Sequence, residues 1–599
     1  MPSAALQTTT EHLTLGHALT SHAERLSTTT ALVYGTSNGT QDQRTYAELY
    51  AQAAAVGAVL HELPSRTHDR PFVLIALPNG VDYVASFFGC LLADAVAVTF
   101  HPPLMSTMRA GKAWDYRLEQ ILRDCEPSAV ITAPDLHSRV RAVADSAALA
   151  PLVIAPDEIA WDADVEVGTV RTRPEHLALL QYTSGSTSSP NGAMVSNANL
   201  AHNIAHIRRN LGTGPGQSAA GWLPLFHDMG LIGMVCHPLT AGMSLHMSTP
   251  TGFLRNPLGW LRTLSDTGSS FTIAPDFGYA TAVQKVSEER REGLDLSGLR
   301  HALNGAEPVR RRTITAFAEA YRPYGFNPHA MMPVYGLAEA TLVVTCLDRQ
   351  APPAFGQVER QTLGGAYRTA EDSQSGAARA ELVGCGTSIS ADIEVAVVDP
   401  ETSRRCPPGN VGEIWISGPS VAGGYWGHQK ATRETFEATV DEPEFRGRRF
   451  LRTGDLGVWH EGQLCIVGRI KDVIIHRGTN HHPQDLEATA EGCHELVARA
   501  VAFAIRDETD QDEQLVLACE LLAYGPGVDC AAVLSAVRGA VLEEHGIAPA
   551  AVAVVQSGAV PRTTSGKLRR AEAAQRWHAD EFKPVALWHR GETSKGGQP

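Results

Sequence analysis

The sequence predicts an α/β protein with two domains: a large N-terminal domain of layered α/β subdomains plus a β-rich subdomain, and a small, mobile α+β C-terminal domain. The first observation is that short apolar runs alternate with amphipathic stretches from about residue 71 to residue 340, a pattern typical of parallel sheets covered by helices. The second is that a new series of strand and helix signals begins after residue 469. At 599 residues, 43% of them hydrophobic, the chain is long enough to bury several cores.

The individual elements follow from these patterns in chain order. Strands are predicted at 72–77, 129–132, 152–155, 177–181 and 271–275, with helices at 82–95 and 115–125. Between 350 and 380 the composition shifts to Gly, Ala, Pro, Arg and polar residues, which indicates a surface insertion or a linker. Strand-like runs at 393–398, 412–417 and 462–467 then predict the β-rich subdomain.

The C-terminal unit has its own set of predicted elements. These are strands at 501–505 and 514–522, a helix at 531–544, a strand at 551–555, and a loop at 561–567 that leads into a final helix. We therefore expect an N-terminal domain over 1–469, a C-terminal lid domain over 470–590 and a disordered tail over 591–599.

Composition and charge exclude several classes of protein. A formal net charge of −15 argues against nucleic acid as a partner, since nucleic-acid binders present a basic face. The sequence has no apolar run of about 18 residues and no secretory signal pattern, so we expect no membrane span and a cytoplasmic protein. The ten cysteines are scattered, without C-x-x-C or paired Cys/His spacing, and we therefore expect reduced thiols and no structural zinc.

A loop rich in hydroxyl groups follows the apolar run at 177–180. It reads Y-T-S-G-S-T-S-S-P-N-G over 182–192, and such a loop offers backbone N–H groups and hydroxyls to a polyanion. It is not a Walker loop, because the chain contains no G-x-x-x-x-G-K-[ST] pattern. The phosphate-binding candidates are Thr183, Ser184, Gly185, Ser186 and Thr187.

Six further motifs follow in order along the chain. They are W-L-P-L-F-H-D-M-G-L-I-G at 222–233, N-G-A-E-P at 304–308, Y-G-L-A-E-A-T at 335–341, R-T-G-D-L-G at 452–457, G-R-I-K-D at 468–472 and T-T-S-G-K at 563–567. Together with the hydroxyl-rich loop, this series resembles the motifs of adenylate-forming enzymes: acyl-CoA synthetases, non-ribosomal adenylation domains and luciferases. The resemblance covers nearly the whole chain and implies the two-domain fold of that superfamily.

The resemblance implies activation of a carboxylic acid with ATP and Mg²⁺. Glu339 is the implied Mg²⁺ ligand, and Asp455 would accept both ribose hydroxyls. Lys567 would bridge the substrate carboxylate and the α-phosphate as a point charge, and Lys471 would be the hinge of the C-terminal lobe. His227 either hydrogen-bonds to the substrate or nucleotide, or has only a structural role in the wall of the site. The implied nucleotide-binding set also contains Asn304, Gly305, Ala306, Glu307, Tyr335, Gly336, Leu337 and Arg469.

At three places the sequence departs from the general pattern and resembles the fatty acyl-AMP ligase branch. Asn191 stands where most adenylating enzymes carry Lys, and this branch often lacks that Lys. The stretch N-H-H-P-Q-D at 480–485 is close to the branch's N-H-Y-P-Q-D, with His482 in place of Tyr. The segment near 350–380 lies where the branch has an insertion that restrains the C-terminal lobe. That restraint is associated with refusing coenzyme A and with acyl transfer to a carrier protein.

The acyl pocket is implied by residues of two motifs. It would contain Trp222, Met229, Gly230, Asp276, Phe277 and Gly278. Gly278 would make more room than the usual Ala. Asp276 either pairs with an amine or hydroxyl on the substrate, or replaces the usual Asn as a residue that bonds the backbone of a turn.

Other interpretations are weaker. G-T-S-N-G at 35–39 matches the hydrolase pattern G-x-S-x-G, but the polar connection at 40–44 predicts a hairpin turn and not the helix that a nucleophile elbow requires. A non-catalytic binding protein would have lost Glu339, Asp455, Arg469 and Lys567. An amino-acid adenylation domain usually has Asp directly after Phe, where this chain has His227. An ordinary acyl-CoA synthetase shares every motif except 480–485 and the insertion.

We therefore expect a stand-alone fatty acyl-AMP ligase. It would form acyl-adenylate and pyrophosphate from ATP and a medium- or long-chain fatty acid. It would then load the phosphopantetheine thiol of a separate holo acyl carrier protein for lipid, polyketide or lipopeptide biosynthesis. The alternatives are coenzyme A as acceptor, or an amino- or hydroxy-substituted acid as substrate. A monomer or weak dimer is expected.

Overall fold

The computed structural model contains four main sheets and two β-hairpins. It describes residues 14–35, 41–63, 69–102, 108–159, 172–183, 190–349, 351–359, 379–476, 479–505, 513–522, 525, 528–562 and 568–590. Two of the sheets belong to the layered α/β part, one to the β-rich part and one to the C-terminal part. The predicted two-domain α/β architecture is confirmed.

The first sheet has six strands and consists of the predicted apolar runs. In spatial order the strands are Leu152–Ile154, Ala129–Thr132, Phe72–Ala76, Val96–Thr99, Leu177–Thr183 and Asn191–Ser196. All neighbours are parallel except the last pair, which is an antiparallel hairpin. Because side chains alternate across a strand, Val73 and Ile75 enter the large central core, whereas Phe72 and Leu74 pack into a second core on the other face.

The second sheet has nine strands and packs on the same central core. In spatial order they are Thr387–Ser388, Val343–Cys346, Met331–Gly336, His301–Asn304, Phe271–Ala274, Ser218–Gly221, Ser244–Met247, Thr30–Gly35 and Gln41–Thr45. The middle strands are parallel, and the last two pair antiparallel across residues 36–40. This pairing agrees with the hairpin interpretation of G-T-S-N-G and contradicts the hydrolase one.

Helices cover the sheets and connect their parallel strands. The described helices are Leu15–Arg25, Tyr46–His61, Val81–Leu92, Met108–Cys125, His137–Ser146, Asn197–Leu211, Met229–Cys236, His237–Ala241, Pro250–Arg255, Pro257–Asp266, Asp276–Lys285, Glu288–Arg291, Arg311–Tyr321, Gln429–Phe436, Pro483–Gly492, Cys530–His545 and Arg570–His578. Helices Tyr46–His61 and Val81–Leu92 pack so closely that a Cβ on Gly89 would lie 2.6 Å from Val56 Cβ. Among the described helices, none is both long and apolar enough to cross a membrane.

The β-rich part is an antiparallel sheet of five strands. They are Arg404–Arg405, Glu394–Asp399, Gly412–Ser417, Leu451–His460 and Gln463–Arg469. The segment predicted as an insertion begins and ends in a hairpin, because Phe355–Glu359 pairs antiparallel with Arg379–Val383. Residues 350 and 360–378 lie outside the described residues.

The C-terminal part has a core of its own around a four-stranded sheet. Its strands are Val497–Ile505, Gln514–Leu521, Ala551–Val555 and Ala586–His589, and a hairpin of Ile474–His476 and Thr479–His481 precedes them. The strand Ala586–His589 is absent from the sequence prediction, because four residues on a sheet edge carry little periodic signal. The boundary between residues 469 and 470 stays a prediction.

Candidate active site

The predicted nucleotide segments meet at one edge of the nine-stranded sheet. The strands His301–Asn304 and Met331–Gly336 are parallel neighbours, and Asn304 pairs with Pro333. Ligands of α/β proteins bind outside the carboxyl ends of parallel strands. The residues that follow these two strands are therefore brought together, as the sequence predicts.

Close backbone packing explains the two glycines at these strand ends. A Cβ on Gly336 would lie 1.6 Å from the Leu342 carbonyl oxygen, and one on Gly305 would lie 2.8 Å from that of Val334. Ala306 follows with a φ of 68°, which is uncommon for a residue other than glycine. Such conformations are concentrated at functional sites.

Asp276 is surrounded by protein donors and does not face an open pocket. Its Oδ1 accepts from Asn304 Nδ2 at 3.0 Å and from the Arg310 backbone N–H at 3.1 Å. Its Oδ2 accepts from Thr313 Oγ1 at 2.7 Å, and the residue is 5% exposed. This arrangement agrees with the backbone-bonding alternative and leaves no reason to assign the carboxylate to substrate recognition. It also uses the Asn304 amide, a predicted nucleotide-binding group.

Glu307 connects the nucleotide segment to the predicted acyl pocket. The Phe277 backbone N–H donates to Glu307 Oε1 at 2.6 Å. Burial, together with the nearby Asp276 charge, raises the pKa of Glu307 to about 7. A raised pKa means that the folded state binds this proton more tightly than the unfolded chain does.

We expect Glu307→Gln to change how stability depends on pH. In the wild type the contribution of Glu307 to the free energy of unfolding falls as pH rises from about 4.5 to about 7, because folded Glu307 retains its proton longer. Glutamine keeps the acceptor for the Phe277 N–H and cannot ionise, so the variant should gain about 2 kcal/mol on the wild type between pH 5 and pH 8. Denaturation midpoints across this range measure the difference.

A matched control for that experiment is Glu319→Gln, which changes an exposed carboxylate on helix Arg311–Tyr321. The free energy of unfolding of this control should differ from that of the wild type by the same amount throughout the pH range. Equal pH profiles for wild type and Glu307→Gln would contradict the prediction.

Asp455 is buried and held by two side chains. It lies opposite Arg469 on paired strands, and Arg469 Nε donates to its Oδ1 at 2.9 Å. The Tyr335 hydroxyl donates to Oδ2 at 2.8 Å. A carboxylate has about four acceptor sites, so two directions remain for a pair of vicinal hydroxyls. Asp455, Tyr335 and Arg469 were predicted separately, and the fold brings them into one group.

A buried glutamate supports the strand segment that precedes Asp455. Glu413, 2% exposed, accepts from Arg452 Nη2 at 2.8 Å and from the Gly454 backbone N–H at 3.1 Å. Gly454 has a φ of 70°, a conformation that glycine adopts without strain. Glu413 is missing from the predicted site because no local motif surrounds it.

Glu339 occupies a short 3₁₀ turn after the strand Met331–Gly336. The Tyr425 hydroxyl donates to Glu339 Oε1 at 2.8 Å, and the Ala422 backbone N–H donates to the Glu339 carbonyl at 2.9 Å. Burial raises the pKa of Glu339, and Asp228 adds to the rise. A carboxylate desolvated beside another acid fits a cation ligand, and oxygen is the donor that Mg²⁺ prefers. Tyr425 was not predicted, since it is 86 residues away in sequence.

The loop of Tyr425 also contacts the hairpin strand that begins at Asn191. The Met194 backbone N–H donates to the Gly424 carbonyl at 2.9 Å, and Ala193 pairs with Tyr425. The Mg²⁺-ligand candidate is therefore joined through Tyr425 to the hairpin that bears the phosphate-loop motif. Thr183 ends one strand of this hairpin, whereas Ser184, Gly185, Ser186 and Thr187 lie outside the described residues.

The predicted acyl-pocket segment contains a π-helix, Met229–Cys236. Such wide turns are found frequently at functional sites. Gly230 is required there, because a Cβ would lie 2.0 Å from the Pro224 carbonyl oxygen. The Asp228 carboxylate accepts from the Met229 N–H at 2.7 Å, and the His227 ring lies 4.8 Å from that of Phe226. His227 is half-buried, and its two predicted roles both remain open.

Trp222 fills the space beside Gly278. Its ring stacks on Phe253 with centroids 3.9 Å apart, and Phe277 contacts it edge-on at 5.8 Å. A Cβ on Gly278 would lie 2.9 Å from Trp222 Cζ2. The expected extra room is therefore occupied by the indole, because glycine allows Trp222 to pack against the helix backbone.

The predicted hinge lies between two ion pairs that lead to different parts of the chain. Arg469, two residues before Lys471, binds Asp455 in the five-stranded sheet. Asp472, one residue after it, accepts from Arg570 Nη1 at 2.6 Å. Arg570 also makes two 2.8 Å hydrogen bonds to the buried Glu487. The sequence did not indicate Arg570, and Lys567 itself lies outside the described residues.

His482 lies between a strand and a helix of the C-terminal part. The strand ends at His481, and His482 precedes the helix Pro483–Gly492. It is buried against Gly468, where a Cβ would lie 2.6 Å from His482 Nδ1. Burial lowers the pKa of His482 to about 4, so this histidine is a neutral packing residue at neutral pH.

Comparisons with known proteins agree with this geometry. A family model described as "AMP-binding enzyme" matches residues 19–426, and one described as "Disco-interacting protein 2-like, AMP domain" matches residues 471–586. The chain is 35% identical to the medium-chain-fatty-acid–[acyl-carrier-protein] ligase JamA of Moorena producens, over 88% of each chain. It is 35% identical to the long-chain-fatty-acid–AMP ligase FadD26 of Mycobacterium tuberculosis, over 92% of this chain and 95% of the relative.

The fold comparison covers the full length as well. A solved structure from a study of fatty acyl-adenylate ligases of E. coli and L. pneumophila has a TM-score of 0.82 at 29% identity, over 95% of this chain and 98% of that one. The chain therefore belongs to the AMP-binding enzyme family and is an adenylate-forming ligase of the fatty acyl-AMP ligase or acyl-carrier-protein ligase type.

Proposed function

We propose that this ligase adenylates a medium- or long-chain fatty acid and then transfers the acyl group to the phosphopantetheine thiol of a separate holo acyl carrier protein. The observation that carries the adenylation half is a pair of carboxylates held by tyrosine hydroxyls. Asp455 and Glu339 are each oriented by a tyrosine hydroxyl at 2.8 Å, from Tyr335 and Tyr425 respectively. The Asp455 carboxylate is suited to bind a ribose, and the Glu339 carboxylate is suited to bind a cation.

The chemistry of the first step explains why both carboxylates are oriented. The acid oxygen attacks the α-phosphorus, pyrophosphate leaves, and an acyl–phosphate anhydride results. A site that holds its dipoles and charges in place before the reaction lowers the barrier of such a step. Asp455 would fix the ribose and so place the α-phosphate. Glu339 would hold Mg²⁺, which when bound neutralises phosphate charge.

We propose further that Lys471 is the hinge and that Lys567 enters the site when the C-terminal part turns. The ion pairs Arg469–Asp455 and Asp472–Arg570 support this, because they join the residue two before Lys471 to the five-stranded sheet and the residue after it to helix Arg570–His578. Arg312 Nη2 also donates to Glu491 at 2.7 Å, across the two parts. Such contacts would hold the C-terminal part in this orientation until bound ligands favour another orientation.

The carrier protein as acceptor is supported by the sequence features of the branch. Asn191, the 480–485 stretch and the segment at 350–380 depart from the general adenylating pattern in the direction of fatty acyl-AMP ligases. The relative JamA is named for acyl-carrier-protein ligation. Coenzyme A is the second candidate acceptor, because the same adenylate reacts with either thiol.

An acceptor competition tests the proposal. The enzyme is incubated with ATP, Mg²⁺ and a panel of medium- and long-chain acids, with either coenzyme A or a holo carrier protein, and products are identified by mass spectrometry. We expect acyl-adenylate and acyl-carrier protein, with acyl-CoA no higher than in a reaction without enzyme. Apo carrier protein, which lacks the thiol, is the matched control. Efficient acyl-CoA formation would contradict the proposal that a carrier protein is the acceptor. Absence of adenylate from every acid would contradict the proposal that the enzyme adenylates a fatty acid.

A further inference from the structure

A cluster of metal-binding side chains lies apart from the nucleotide residues, on helix Asn197–Leu211. His202 and His206 are four residues apart and so share one helix face, with ring centroids 4.4 Å apart. Asp392 lies in the turn before the strand Glu394–Asp399. One donor atom from each of the three side chains lies within 4.8 Å of the other two. No other His, Cys, Asp or Glu triplet comes as close within the described part of the chain.

The protein already orients one of the two imidazole rings. His202 Nδ1 is 2.8 Å from Ser420 Oγ. Histidines that bind metals use their second nitrogen in this way, and the bond selects the tautomer and the ring orientation. Metal binding through Nε2 requires the tautomer in which His202 Nδ1–H donates to Ser420 Oγ, an oxygen that also accepts from Asn203 Nδ2 at 3.2 Å.

That second nitrogen of His202 is buried without a partner. Nε2 has no hydrogen bond to any described residue and is hidden from solvent. A buried polar atom without a partner costs free energy, which a bound ion would remove.

We propose that His202, His206 and Asp392 bind one divalent transition-metal ion, with Zn²⁺ as the ion that best suits the donors and solvent in the fourth position. Two imidazoles and a carboxylate are a common ligand set for zinc. Zinc bonds of about 2.1 Å place tetrahedral donors roughly 3.4 Å apart, whereas these three donor atoms lie up to 4.8 Å apart, so the side chains must close by up to about 1.4 Å. Asp392 is exposed and is free to rotate. The nitrogen ligands distinguish this site from the Mg²⁺ site, which is built from oxygen.

The ion would connect segments that position Glu339. Ser420, which orients His202, accepts from Thr341 Oγ1 through its carbonyl at 2.6 Å. Two residues further on, Ala422 donates to the Glu339 carbonyl. Binding would therefore join the helix, the Asp392 turn and the loop that holds Glu339. We expect zinc to raise the melting temperature of this part of the protein.

The proposed site departs from the sequence-based expectation of no structural zinc, which considered only cysteine and paired Cys/His spacing. H-N-I-A-H at 202–206 is an i, i+4 pair, which becomes visible once the segment is known to be helical. Asp392 is 186 residues beyond His206 in the sequence, and only the fold brings it to the pair.

Zinc binding by the full-length protein tests the proposal. The protein is stripped with a chelator and titrated with Zn²⁺ against a chromophoric zinc chelator, and bound metal is counted by mass spectrometry. We expect one tight equivalent in the wild type, lost in His202→Gln, His206→Gln and Asp392→Asn. Ser420→Ala keeps every ligand, so its affinity should fall roughly 10- to 100-fold. Circular dichroism and melting without metal verify that each variant is folded.

The matched control is His329→Gln, which removes an exposed histidine outside the cluster and should retain the equivalent. Co²⁺ substitution adds a spectroscopic readout, since visible absorption reports nitrogen and oxygen ligands in a tetrahedral site. Failure of the wild type to retain any equivalent would overturn the proposal. Unchanged binding in all three ligand variants would overturn it too, because the ion would then be bound elsewhere, for example by cysteines.

Discussion

Replacing Glu339 by Gln is expected to lower the rate of acyl-adenylate formation by roughly 10²- to 10³-fold, the size of effect seen when one preorganised charge-stabilising group is removed. Glutamine retains the oxygen that accepts from Tyr425 and the main-chain bond to Ala422, so the turn should keep its shape. What is lost is the negative charge toward the cation. The variant should also need more Mg²⁺ for half-maximal rate. Pyrophosphate release measured across a Mg²⁺ series gives both quantities.

Tyr425→Phe is the matched control for this result. It removes the hydroxyl that orients Glu339 but keeps the carboxylate, so the loss should be smaller, roughly 10- to 100-fold, as is typical of groups that orient a metal ligand. Both variants should melt close to the wild type. An unchanged rate and Mg²⁺ dependence in Glu339→Gln would remove Glu339 from the proposed metal site.

Asp455→Asn is expected to lower kcat/KM for ATP by roughly 10²-fold, because hydrogen bonds to a charged partner contribute about 1.5–3 kcal/mol each. Asparagine keeps one acceptor oxygen but replaces the other by a donor, which faces Tyr335 or Arg469 with the wrong polarity. The substitution therefore removes charge and disturbs the alignment of the site. Initial rates of adenylation at varied ATP concentrations measure the effect.

The use of 2′-deoxy-ATP makes this prediction specific to the ribose. The wild type should lose activity with the deoxy nucleotide, whereas Asp455→Asn should lose little more, since the partner of that hydroxyl is already gone. Tyr335→Phe, which removes only one hydrogen bond to Asp455, should show a smaller loss with ATP and keep the preference for ribose. Independent, additive losses in Asp455→Asn and the deoxy nucleotide would contradict direct contact.

Local sequence patterns determined the elements and most of the candidate residues. The apolar run predicted at 129–132 is the strand Ala129–Thr132, and the helix predicted at 531–544 is Cys530–His545. Strands and helices can be predicted from the sequence, because the periodicity of their side chains follows from backbone geometry within a few residues. Tyr335, Glu339 and Asp455 were found for the same reason, as each lies in a short motif whose chemistry is visible in neighbouring residues.

Only the tertiary structure showed which side chains from distant parts of the sequence hydrogen-bond to the candidate residues. Tyr425 reaches Glu339 across 86 residues, Glu413 reaches Arg452 across 39, and Arg570 reaches Glu487 across 83. It also showed that the Asp276 carboxylate accepts three hydrogen bonds from the protein. These contacts depend on sheet register and on how distant segments pack, and neither leaves a periodic signal in the residues involved. The sequence by itself therefore determined the family and its chemical residues, and packing between distant segments determined how those residues are held.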